Sequence, residues 1–137
     1  MQLDPASFTA DPELIQALSR HATPVPCETD RLLFNQDDPS VGIYILEEGS
    51  ASLSMVSSTG QSLIHVQAIP GSLLGLPGLI SNQPYSLTAV ARAGARVSFV
   101  SRDDFTALMQ SDPRLSFKIL QVLAAEVRSA RKAPAHL

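Results

Sequence analysis

Apolar residues recur with two different periods along this chain, and the change of period divides it into three parts. Near the start, Leu14, Ile15 and Leu18 fall on one side of a helix. Asp11 can cap that helix, Pro12 stands at its first position, and Glu13 adds an acid to its first turn. The helix is expected to end by Pro24. From Val25 to Val100 the pattern becomes short β-type segments broken by turn residues such as Glu28-Thr29-Asp30, Glu47-Glu48-Gly49, Ser58-Thr59-Gly60 and Arg92-Ala93-Gly94. Ile43 and Ile45 alternate with Tyr44 and Leu46, and Leu53 to Val56 and Leu63 to Val66 are of strand length. Regular turn spacing of this kind predicts a sandwich or barrel.

The helical period returns at Ser101, which can cap a helix carrying Asp103 and Asp104 in its first turn and Phe105, Leu108 and Met109 on one face. Asp112-Pro113 restarts a second helix. In it Leu115, Ile119 and Val122 make one apolar stripe, while Phe117, Leu120, Ala124, Val127 and Ala130 make another. A helix apolar on two sides needs two partners, here its own barrel and a second copy of the chain. Leu115, Ile119, Leu120, Leu123 and Val127 are the expected dimer residues.

Composition narrows the class. With 137 residues, 45% of them hydrophobic and 17% charged, the chain suffices for one packed core and is too short for two ordinary domains. A single domain over 1–137 is expected, with an N-terminal helical segment at 1–24, a roll at 25–100 and C-terminal helices at 101–132. No apolar run reaches membrane-spanning length and no signal-peptide pattern opens the chain, so a cytoplasmic protein with no membrane partner is expected. The net charge of −3 argues against direct nucleic-acid binding, and the only basic cluster, Arg128 to Lys132, is expected to be a solvated helix end. Cys27 is the one cysteine and is expected to be a small buried strand residue. His21, His65 and His136 have no second ligand at metal spacing, so no metal and no cofactor are expected.

One segment carries a motif. Pro70-Gly71-Ser72-Leu73-Leu74-Gly75-Leu76-Pro77-Gly78-Leu79-Ile80, followed by Leu87-Thr88-Ala89, resembles the phosphate-binding cassette of cyclic-nucleotide-binding domains of the catabolite activator protein family. The stretch Leu33 to Gly49 is similar to that family's first hairpin region, with Asp37 in place of the usual turn glycine and Asp38 keeping the aspartate that follows it. Asp37 can take the left-handed turn geometry. The resemblance runs from about Leu14 to Arg131 and implies a mainly β fold, a β-roll of the double-stranded β-helix or jelly-roll type with one N-terminal and two C-terminal helices.

In that family, the resemblance implies, a glutamate after the first cassette glycine accepts a ribose hydroxyl and an arginine before Ser/Thr-Ala pairs the cyclic phosphate. Here Gly75 and Gly78 match the glycines and Thr88 and Ala89 the Ser/Thr-Ala, but Leu76 stands at the glutamate position and Leu87 at the arginine position. The expected cassette, at 71–89, is thus a degenerate ligand site of Gly71, Ser72, Leu74, Gly75, Leu76, Gly78, Leu87, Thr88 and Ala89. Losing a charge-assisted hydrogen bond to an anion forfeits on the order of 1.5 to 3 kcal/mol. Pro77 removes a further amide donor. What remains for an anion is the Thr88 hydroxyl and the amides around Ser72, Leu74 and Gly78. Arg92 and Arg96, flanking Gly94, are expected to be exposed hairpin residues.

Two functions follow. The first is a non-enzymatic regulatory module, dimeric through its last helix, that no longer binds cAMP or cGMP in the family manner. The alternative is a small-ligand sensor that takes a cyclic nucleotide or a more apolar effector in the roll and signals to a separate output protein. An enzyme is not expected: Ser50, Ser52 and Ser54 read as the solvent face of one strand, and no nucleophile, carboxylate pair or metal constellation stands out.

Overall fold

The computed structural model describes residues 3–132. A 3₁₀ turn, Pro5–Phe8, leads into α1 (Pro12–Ser19), whose first free amides are met as the sequence predicts: the Asp11 carboxylate accepts from Leu14 N–H at 2.9 Å. Eight strands follow, β1 (Thr23–Val25), β2 (Arg31–Phe34), β3 (Gly42–Glu48), β4 (Ala51–Val56), β5 (Ser62–Ala68), β6 (Ser72–Leu74), β7 (Thr88–Ala91) and β8 (Arg96–Ser101). A one-and-a-half-turn helix, α2 (Leu76–Ser81), interrupts them between β6 and β7, and α3 (Arg102–Ser111) and α4 (Pro113–Lys132) close the chain. The strands form two four-stranded antiparallel sheets, ordered β1-β8-β3-β6 and β2-β7-β4-β5, which is the expected roll. It begins at Thr23 rather than Val25, because Thr23 pairs with Phe99.

Two apolar clusters hold the elements together. One fills the roll between the sheets, with Phe34, Leu46, Leu53, Leu74, Tyr85 and Val97. The other lies between the outer face of the β1-β8-β3-β6 sheet and the helices, with Leu14, Leu18, Ile43, Ile45, Val100, Phe105, Leu115, Ile119 and Val122. β3 feeds both, since side chains alternate across a strand: Leu46 points into the roll and Ile43 and Ile45 toward the helices, all three with no exposed surface. Each such side chain contributes roughly 1.5 to 3 kcal/mol of burial. The predicted alternation is therefore between two buried faces.

The turn between β2 and β3 follows the substitution noted above. Asp37 has φ +74°, and the Asp38 carboxylate accepts from Asn35 N–H at 3.0 Å. α3 is capped by Ser101, whose hydroxyl accepts from Asp104 N–H at 3.2 Å, and Asp112 separates α3 from α4. α4 is tied to the N-terminal segment by ion pairs of Lys118 with Asp11 and Glu13 and of Arg114 with Glu13, and by the Asp4 N–H, which donates to the Ser129 hydroxyl at 2.8 Å. Cys27 is buried as expected, but in the loop after β1 rather than in a strand. His136 lies outside the described residues. No helix among the described residues is long and apolar enough to cross a membrane, and no group of metal-ligating side chains occurs among them.

Candidate functional site

A cavity opens inside the roll where the β6–α2 segment faces the inner side of α4. Its walls are Phe8 from the 3₁₀ turn, Phe34 from β2, Leu53 from β4, Leu74, Gly75, Pro77 and Gly78 from the cassette, Ser86 and Leu87 ahead of β7, and Glu126 from α4. The space open to the centre of a water-sized sphere is about 30 Å³, room for about two water molecules. No arginine, lysine or histidine lines it among the described residues.

Glu126 is the one ionisable wall residue among those described. It continues the inward face of α4, following Leu115, Ile119 and Val122 at the i+4, i+7 and i+11 positions at which a helix returns to the same side. Its Oε2 is covered and finds no hydrogen-bond partner among the described residues. Burial alone pushes the carboxyl up to about 8, so near neutral pH the protonated form prevails. Sequence reasoning missed this residue by tracing α4 through its apolar side chains only; an acid on an otherwise apolar stripe was the available signal.

The cassette residues divide between the cavity and other work. Leu74, Gly75, Gly78 and Leu87 line the cavity, as does Pro77. Leu76 does not: it is fully buried on the helix side of the sheet, with Leu73 and Leu79. Successive residues of a helix point about 100° apart, so in α2 it is Pro77 that turns toward the roll interior. Leu76 and Leu87 accordingly sit in different cores and do not pack into one plug. Gly71, Ser72, Thr88 and Ala89 also lie outside the cavity wall. Gly71 donates to Leu46 C=O at 2.8 Å, and the buried Ser72 hydroxyl donates to Ile69 C=O at 2.6 Å. The Thr88 hydroxyl accepts from Gln36 N–H at 2.9 Å and so holds the β2–β3 turn, while Ala89 is buried in the roll core.

The two cassette glycines have packing reasons of their own. Gly75 has φ +92°, and a Cβ there would stand 2.7 Å from the ring of Tyr85; at Gly78 a Cβ would meet Ser40 Oγ at 2.6 Å and Pro84 C=O at 2.8 Å. Tyr85 is the strut behind the cassette. It stacks on Phe34 with centroids 3.9 Å apart, and its hydroxyl donates to Gly42 C=O at 2.7 Å while accepting from Val41 N–H at 3.2 Å. Arg102, a second residue the sequence did not single out, donates to Leu79 C=O in α2 at 3.1 Å and to Ser40 C=O ahead of β3 at 2.8 Å, and so ties the two segments together. Neither hairpin arginine reaches the cavity. Arg92 pairs with Asp30 at 3.4 Å, and Arg96 pairs with Glu47 and Glu48.

A model of the cyclic nucleotide-binding domain family matches residues 24–112, about two thirds of the chain. The chain belongs to the cyclic nucleotide-binding domain family. Among curated relatives it is 28% identical over 123 residues to the transcriptional activatory protein AadR of Rhodopseudomonas palustris, covering 89% of this chain and 48% of that protein. It is 22% identical over 118 residues to the CRP-like cAMP-activated global transcriptional regulator of Mycobacterium tuberculosis, covering 86% and 53%. The chain thus spans about half the length of these relatives. Among solved structures it matches the Thermus thermophilus catabolite activator protein with a TM-score of 0.76 at 25% identity, over 93% of this chain and 60% of that one.

The outer face of this domain's last helix completes the picture. Phe117, Leu120 and Val127 are 62%, 58% and 50% exposed. With Ala124 they are spaced three, four and three apart, the a/d spacing of a coiled-coil seam. Leu115 and Ile119, expected at a dimer interface, are buried in the protomer's own core at 4% and 2% exposure, and Leu123 packs partly against that core. Of the residues expected there, Leu120 and Val127 remain available, and Phe117 joins them.

Proposed function

We propose that this chain is a non-enzymatic regulatory domain whose roll does not hold cAMP or cGMP in the manner of the family's phosphate-binding cassette. One observation carries the reading: among the described residues the cavity wall is mostly hydrocarbon, with one acid and no cation, and it leaves room for about two waters. A cyclic phosphate seated there meets leucine and proline where it needs a guanidinium, and each missing charge-assisted bond forfeits on the order of 1.5 to 3 kcal/mol besides the desolvation of the anion. Such a site is weaker for nucleotides by two or more decades.

The domain acts as a dimer in the cytoplasm through the Phe117, Leu120, Ala124 and Val127 seam, and α4 is the element that passes its state to an output protein. Supporting this, the two faces of α4 are separate, the inner one closing the roll with Glu126 and the outer one exposed. A ligand that binds only the folded protein raises its Tm. Millimolar cAMP or cGMP is expected to leave the Tm unchanged, and a saturable upward shift overturns the reading.

A further inference from the structure

The cavity has the wall chemistry of a cation site. Two aromatic rings, Phe8 and Phe34, and the aliphatic chains of Leu53, Leu74 and Leu87 surround one carboxyl whose Oε2 has no partner among the described residues. Aromatic rings attract cations through their negative faces, and the attraction grows when water is excluded. A buried carboxylate wants an opposite charge. A small cation meets both groups at once, whereas a neutral guest can only hydrogen-bond the carboxyl and an anion is repelled once the carboxyl ionises.

We propose that the roll cavity is a recognition site for a small organic ammonium ion, with Glu126 as its counter-ion and Phe8 and Phe34 as its aromatic wall. The assignment rests on the reading above that the cavity is not a cyclic-nucleotide site. Binding exchanges a proton for the cation: the ammonium enters, the Glu126 carboxyl loses its proton to solvent, and an ion pair replaces a neutral acid. Because Glu126 lies on the inner face of α4, opposite the exposed seam, the guest pulls on the helix that carries the proposed dimer contact.

Among the described residues, no other titratable side chain lines the wall with Glu126. The 3₁₀ turn contributes Phe8, β2 Phe34, β4 Leu53, the cassette Leu74, Gly75, Pro77 and Gly78, and the segment before β7 Ser86 and Leu87. Asp4, which is not part of the wall, meets α4 through its backbone N–H bond to the Ser129 hydroxyl. The pH dependence of binding therefore reports Glu126.

The test is a titration of the whole chain with ethylammonium chloride, whose three heavy atoms match the cavity, at constant ionic strength and followed by the methyl NMR signals of Leu53, Leu74 and Leu87. Saturable shifts with millimolar affinity are expected at pH 8.5, weakening about tenfold for each pH unit below about 8 because the carboxyl must first lose its proton. Ethanol, the neutral counterpart, is expected to bind at least tenfold more weakly at pH 8.5. In Glu126→Gln the ammonium advantage over ethanol disappears. Should that variant not fold, the pH profile of the unaltered chain decides alone. An affinity that is flat with pH, equal for ethanol, unchanged in Glu126→Gln, or absent overturns the inference. cAMP in a parallel series separates the two readings: shifts with cAMP overturn the proposed function, whereas silence toward both guests overturns the ammonium site only.

Discussion

Replacing Glu126 by glutamine tests the energetics of the cavity directly. In the unfolded chain the carboxyl has its ordinary value of 4.5, and in the fold it is raised to about 8. A group whose folded value lies above its unfolded one stabilises the protein fully below the unfolded value, and that contribution is lost as pH rises through the folded value. The unaltered chain therefore loses stability between about pH 4.5 and pH 8. At ~1.4 kcal/mol per unit the full window sets a ceiling of about 5 kcal/mol, and the part of the side chain still in contact with water lowers the expectation to about 3 kcal/mol. Glutamine keeps the shape and cannot ionise. Urea unfolding followed by far-UV circular dichroism, at one protein concentration and from pH 5 to 8.5, is expected to show the variant gaining on the parent by about 3 kcal/mol across that range. At roughly 3 to 6 °C per kcal/mol for a chain of this size, the Tm difference grows by about 10 °C. Taking the difference cancels every titration the two chains share. Parallel stability curves refute the reasoning, as does a variant that loses ground as pH rises.

Three further outcomes follow from the packing. Leu120→Asp is expected to turn a dimer into a monomer in sedimentation velocity while leaving the Tm within a few degrees at low protein concentration, because Leu120 is 58% exposed in the protomer. Tyr85→Phe is expected to cost about 1 to 3 kcal/mol in urea unfolding, since it leaves the buried Gly42 carbonyl and the Val41 amide without the hydroxyl that joins them. Leu76→Ala is expected to cost about 2 to 5 kcal/mol, because this fully buried side chain belongs to the helix-side core. A cost below 1 kcal/mol at Leu76 contradicts its placement there.

Much of the fold was legible because local signals and global packing agree. Asp11-Pro12, Ser101 and Asp112-Pro113 mark helix starts where the structure has them, and Asp37 takes the left-handed turn its position demands. The site was less legible for a geometric reason. A motif fixes spacing along the chain, but in α2 one residue of displacement swings a side chain from the roll interior to the opposite core, and only tertiary packing decides that Pro77 rather than Leu76 faces the cavity. The same limit applies to α4. Its apolar residues cover so much of the circumference that the sequence could not say which stripe stays exposed, and Leu115 and Ile119 went to the protomer core. Glu126 reaches the roll from a helix far along the chain from the cassette, where no sequence neighbour announces the pairing.

The claim on which the account turns is that this roll has no grip on a sugar-phosphate, and isothermal titration calorimetry of the whole chain with cAMP and with cGMP measures it most directly. No saturable heat is predicted at nucleotide concentrations up to the millimolar range. A one-to-one isotherm with a micromolar Kd for either nucleotide contradicts it.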